Sequence, residues 1–170
     1  MNRFSLSIVG GLGMLGFTMG GLSQAAADST GMALTEADKL AVFKAAGAVQ
    51  RKGRWLMCAD DPNTSGASIE TVSDLNGDGR PEAVVTEGGT FCYGHAGTGF
   101  QLLSKQADGS WRVMTGGSGI PQFLKTRGAG RWPDVSIGGP GFCFPVERWN
   151  GKLYELNRFE YEGKRCKPQR

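Results

Sequence analysis

The stretch Asp74-Leu75-Asn76-Gly77-Asp78-Gly79-Arg80-Pro81-Glu82, followed at once by Ala83-Val84-Val85, governs the reading of this chain. Side-chain oxygens stand at alternate positions, Asp74, Asn76 and Asp78, and again at Glu82. Gly77 and Gly79 free the backbone to turn tightly enough for those oxygens to converge. Hard oxygen donors at this spacing, with the backbone carbonyl of Arg80 completing the set, suit Ca²⁺. The rival at this level is a plain Asx turn holding no ion, because Asp, Asn and Gly also build ordinary turns. The apolar run Ala83–Val85 predicts a strand leaving the loop.

An EF-hand places a bidentate Glu at the twelfth position and a helix beyond it. Here Val85 occupies that position and β-branched residues surround it. The shorter spacing, closing on an acid that opens a strand, resembles the calcium loop of FG-GAP/VCBS repeats, the blades of integrin-type β-propellers. The likeness is specific over Asp74–Val85 and looser over Thr71–Met114. It implies blade-like antiparallel sheets and a bound Ca²⁺ held by Asp74, Asn76, Asp78, Glu82 and the Arg80 carbonyl.

The first residues read as an export signal over 1–27. Arg3 supplies a basic head, Phe4–Leu22 is uncharged and apolar, and Ala25-Ala26-Ala27 offers a small-residue cleavage site. No cysteine precedes Cys58, so no lipid-modified N-terminus and no membrane anchor is expected after cleavage. Residues 28–34 read as a flexible lead, and 35–170 are one domain's worth of chain. The formal charge of +3 across 170 residues points to no particular polyanion, and no nucleic-acid partner is expected. Periplasmic or secreted localisation follows. In that compartment Cys58, Cys92, Cys143 and Cys166 are expected to form two disulfides, with three connectivities open.

Thr35-Glu36-Ala37-Asp38 carries a helix-start signature. Leu40, Phe43 and Ala46 recur at helical spacing, predicting one helix over 35–49 with Leu40 and Phe43 in the core. Beyond Trp55 the pattern becomes one of strands. Trp55–Cys58, Ser68–Val72, Ala83–Thr86, Phe100–Gln106 and Ser110–Met114 are expected strands, the last two closed by a type I′ turn at Asp108-Gly109. The order then recurs. Asp134 aligns with Glu82, Phe142-Cys143 with Phe91-Cys92, and Asn150-Gly151 with Asp108-Gly109. Two blade-like repeats are therefore predicted, about 68–115 and 116–161, the period of propeller blades. Thr126–Gly130 stands where the second copy should carry ligands, so one metal site is expected. Too few blades are present to close a ring. The expected fold class is mainly β, with small antiparallel sheets, one N-terminal helix and disulfide links.

Catalytic signatures are missing. His95 is the sole histidine, no G-x-S-x-G elbow occurs, and Gly116–Gly119 lacks the lysine of a phosphate loop. Asp60, Asp61, Glu70 and Glu87 read as surface acids. Aromatic residues crowd the last 40 positions between arginines, and core packing is their default role. The expectation is a non-catalytic, calcium-binding module acting on a protein or cell-envelope partner. A second reading is a periplasmic inhibitor or immunity protein against a lysozyme-like, peptidoglycan-cleaving enzyme. Its cleft-entering loop would be Tyr93–Phe100, with Tyr93, His95 and Phe100 as contacts.

Overall fold

The computed structural model describes residues 32–168. The expected export signal and most of the lead lie outside the described residues. Helix α1 spans Glu36–Ala45. Thr35 caps it from extended backbone, its hydroxyl accepting the Asp38 N–H at 3.1 Å. The helix ends short of residue 49. Gly47 at φ +77° turns the chain, and Val49–Arg51 becomes strand β1, paired with β2, Arg54–Leu56. Val42 is fully buried, whereas Leu40 is 43% exposed, contrary to expectation. Two residues turn a helix by about 200°, so burying Val42 swings Leu40 outward. Phe43 stacks flat on Trp55 at 5.3 Å.

Two antiparallel meanders follow. The first runs β3 (Ala67–Ser73), β4 (Glu82–Gly88), β5 (Thr98–Lys105) and β6 (Trp111–Ser118), in that spatial order. The second runs β7 (Ile120–Arg127), β8 (Pro133–Gly138), β9 (Phe144–Trp149), β10 (Tyr154–Tyr161) and the short β11 (Lys164–Arg165). The molecule is thus mainly β, in small antiparallel sheets with one N-terminal helix. The glycine-rich stretch between β4 and β5, for which the sequence offers no regular element, holds a four-residue helix α2, Thr90–Tyr93, and a 3-10 turn over Gly94–Ala96.

The first sheet is the middle layer, because its successive side chains point to opposite faces. Ala83, Val85, Leu103 and Trp111 pack with Val42 of α1 on one face. Val84 and Leu102 pack with Trp132, Val135, Trp149 and Tyr154 of the second half on the other. Trp132 meets Trp149 at 5.9 Å and Tyr154 edge-on at 6.3 Å, geometries that favour aromatic pairs.

Three local expectations need correction. Gly116–Gly119, whose glycines read as a turn between sheets, is a turn only at Gly119: Gly116-Gly117-Ser118 is the end of β6, and Gly119 alone links the sheets at φ +135°. A Cβ there would lie 2.5 Å from the Gly138 carbonyl oxygen, so only glycine fits. The Asp108-Gly109 turn is not type I′. Only Gly109 has positive φ, and Gln106 and Ser110 close a three-residue loop around it. At Asn150-Gly151 the loop has four residues, since Trp149 pairs with Tyr154, and the Asn150 side chain accepts the Lys152 and Leu153 amides. Disulfides join Cys58 to Cys92 and Cys143 to Cys166, which selects one of the three open connectivities.

Candidate metal centre

The loop between β3 and β4 is organised by its own carboxylates. Asp74 Oδ1 accepts the amides of Gly77 (2.6 Å) and Asp78 (3.1 Å), and Oδ2 accepts that of Gly79 (2.8 Å). Asn76 Oδ1 accepts the Asp78 amide at 2.8 Å, and its Nδ2 donates to Asp78 Oδ2 at 3.1 Å. Asp78 Oδ1 accepts the Arg80 amide at 2.9 Å, while the Arg80 guanidinium donates to Oδ2 at 2.5 Å. Glu82, at the head of β4 and 1% exposed, reaches back beneath the loop. Its carboxylate accepts the Leu75 amide at 2.7 Å and the Ser104 hydroxyl at 2.8 Å. Asp74, Asn76, Asp78 and Glu82 are thus brought to one short loop.

The charges oppose one another. Burial pushes the Glu82 carboxyl above its usual range, the Leu75 and Ser104 bonds oppose this, and the negative charges of Asp78 and Asp74 add to it. At Asp74 burial acts upward too, but the Gly79, Gly77 and Asp78 amides and the Arg131 charge outweigh it and hold the carboxyl low. Two arginines from the second half clasp the loop, a contact no sequence signal announced. Arg127 donates to the Leu75 carbonyl at 2.6 Å and Arg131 to the Gly77 carbonyl at 2.5 Å. They line a groove of about 320 Å³ with Asp74 and Asn76.

Among the described residues, no group of three or more His, Cys, Asp or Glu side chains is arranged to hold a metal ion. The carboxylates of Asp74 and Asp78 are engaged by the loop amides and by Arg80. In kind, the donor set still fits a hard cation: three carboxylates, one amide oxygen and a main-chain carbonyl. A carboxylate offers about four acceptor positions, so each keeps capacity beyond the bonds it makes here.

The other sequence candidates fall elsewhere. Phe100 is a core residue, 1% exposed on β5, and cannot present itself to a partner. The Tyr93 hydroxyl is turned inward onto Glu87 at 3.1 Å, and burial, reinforced by the Glu87 charge, raises its pKa strongly. Of the three, His95 alone is exposed, while the neighbouring Phe91 is 66% exposed. Glu87 and Asp61 are not surface acids: they are 1% and 9% exposed. Glu87 Oε2 accepts the Met57 and Cys58 amides at 2.8 and 2.6 Å, and Oε1 accepts the Thr64 hydroxyl, pinning the loop that carries the first disulfide.

Asp134, the aligned counterpart of Glu82, has no exposure. Arg148 binds it through two nitrogens at 2.9 and 2.8 Å, Arg158 at 2.6 Å and Thr126 at 2.6 Å. Burial opposes ionisation, but these partners hold the carboxyl far below its ordinary value. Where the first half sets an acid against a polar loop, the second answers it with guanidinium groups. No protein-family model, curated protein or solved structure matches the chain.

Proposed function

We propose that this is an exported, disulfide-linked, calcium-stabilised β module of the FG-GAP/VCBS kind, without catalytic activity, that acts by binding a protein or cell-envelope partner. The observation that supports the reading is the buried Glu82, whose carboxyl the negative charges of Asp78 and Asp74 on the neighbouring loop push further upward, with Asn76 bonded to Asp78 in the same loop. Three carboxylates this close repel one another, and a divalent cation relieves that repulsion. The side chains of Asp74, Asn76, Asp78 and Glu82 and the Arg80 carbonyl would hold the ion. Its contribution is charge compensation that ties the loop to β4. Two disulfides support an oxidising compartment, extracellular or periplasmic, and no helix among the described residues is long and apolar enough to cross a membrane.

Isothermal titration of the folded protein with CaCl₂ tests the reading. The expected dissociation constant is on the order of 10⁻⁴ M, as in extracellular calcium modules. Asp78→Ala removes a charged ligand and weakens binding at least about tenfold. No calcium heat above dilution, or equal binding by the variant, would contradict it.

A further inference from the structure

The second sheet carries a groove well separated in sequence from the calcium-type loop. Across its strands Gln122 lies opposite Ser136, Ser136 opposite Val146, Val146 opposite Arg158, and Phe144 opposite Glu160. Directly opposed residues of antiparallel strands share a face. The alternate face, with Val135 and Glu147, turns towards the first sheet, where Thr115 donates to Glu147 at 2.6 Å. On the Ser136 face Val146 and Asp134 are fully covered, Asp134 by Arg148 and Arg158. Further along, the face borders a groove of about 520 Å³ lined by Gln122, Ser136, Phe144, Glu160, Tyr161 and Glu162.

Three features of this groove point to a ligand. Ser136 is only 9% exposed, yet its hydroxyl makes no hydrogen bond to the described residues. No fully buried polar side-chain atom there lacks a partner, so the Ser136 Oγ opens into the groove. Next, an aromatic wall stands beside it. Tyr161, 37% exposed, lies 6.1 Å from Phe144 and edge-on to Phe142 at 5.4 Å. Finally, the lining is charge-selective. Glu160 is compensated by Arg158 at 2.5 Å, so of the lining acids only Glu162 adds charge to the rim, which suits a neutral ligand.

Aromatic faces bind the apolar C–H face of a sugar ring, while a hydroxyl and an amide supply both donors and acceptors for its hydroxyl groups. A site for a bare cation needs acceptors alone, and Ser136 and Gln122 also bring donors. The volume lies in the range of small-ligand sites. We infer that this groove binds a neutral pyranose ring, presented singly or within a glycan. The inference rests on the reading of the chain as a binding module, whose partner chemistry it names, and is independent of the calcium loop.

The test is a heteronuclear NMR titration of the folded protein with triacetylchitotriose, cellotriose and maltotriose, once in Ca²⁺ and once in EDTA. At least one sugar should give saturable shifts at the Ser136, Phe144 and Tyr161 amides, with a dissociation constant of about 1 mM or lower. Ser136→Ala and Tyr161→Ala, with dispersed native spectra, should each weaken it about fivefold or more. Absence of saturable shifts from all three sugars at about 10 mM, or shifts with a lysine-rich peptide alone, would overturn the inference. Sugar binding that persists in EDTA supports it whether or not calcium binds. Calcium binding without sugar binding removes it and leaves the calcium reading standing.

Discussion

At Gly77 the backbone stands at φ +75°, and Arg131 Nη2 lies 2.7 Å from where a Cβ would be. That nitrogen donates to the Gly77 carbonyl, so a methyl group there forces Arg131 away and strains a left-handed residue at once. Gly77→Ala should cost about 1–2 kcal/mol from the backbone conformation alone. Urea unfolding measures it, and an unchanged midpoint would show that the loop relaxes without strain. Glu82 and Asp134 teach a different lesson. Both head the acid-bearing strand of their meander and are almost wholly buried, yet Glu82 meets an amide and a hydroxyl whereas Asp134 meets two guanidinium groups and a hydroxyl. Alignment could pair the two acids; it could not say what compensates each, because Arg148 and Arg158 come from other strands.

The strands of the second sheet are tied through one carboxylate. Asp134 on β8 binds Arg148 of β9, Arg158 of β10 and Thr126 of β7. Its pKa is depressed in the folded state, so below the ordinary value of 3.8 the unfolded chain takes up the proton first. The network's contribution is therefore complete above pH 3.8 and declines as pH falls below it. Asp134→Asn leaves two arginines facing a neutral group and should cost about 3 kcal/mol at pH 7. It should also flatten the loss of stability between neutral and acidic pH. Urea midpoints measured for both proteins at pH 7 and pH 3 check this, and parallel pH profiles would contradict it. The same sheet shows what periodicity conveys. Val135 and Trp149 alternate inward as aromatic and β-branched strand residues should, and both are core. Phe142 follows no such alternation, lies in the loop before the second disulfide, and is 78% exposed.

On the scale of the molecule, α1, a four-stranded meander and a five-stranded one stack with the first sheet between, and a single residue, Gly119, passes the chain from one sheet to the next. The mainly β class, the capped helix and most strands were legible because each rests on local signals: Thr35 before two acids, β-branched runs, and glycines after Asp or Asn. Others were not, and three of them show why. Strand β1 overlaps a helical pattern and exists because Gly47 breaks it. Strand β7 carries a proline and little alternation, and is defined by pairing with β8. The single-residue link at Gly119 is fixed by the close approach of Gly138, a long-range fact. For the candidate site, the gathering of Asp74, Asn76, Asp78 and Glu82 at one loop was legible from their spacing, whereas the covering arginines, 52 and 54 residues away in the chain, were not.

The central claim is that the loop at Asp74–Glu82 holds a calcium ion that stabilises the fold. Thermal unfolding of the purified protein in about 1 mM Ca²⁺ and in EDTA, beside Asp78→Ala, measures it most directly. With a dissociation constant near 10⁻⁴ M, calcium should add about 1.4 kcal/mol, a rise in Tm of about 5 °C, in the unsubstituted chain, and about 0.4 kcal/mol or less in Asp78→Ala. Equal Tm values in calcium and EDTA for the unsubstituted chain would contradict the claim.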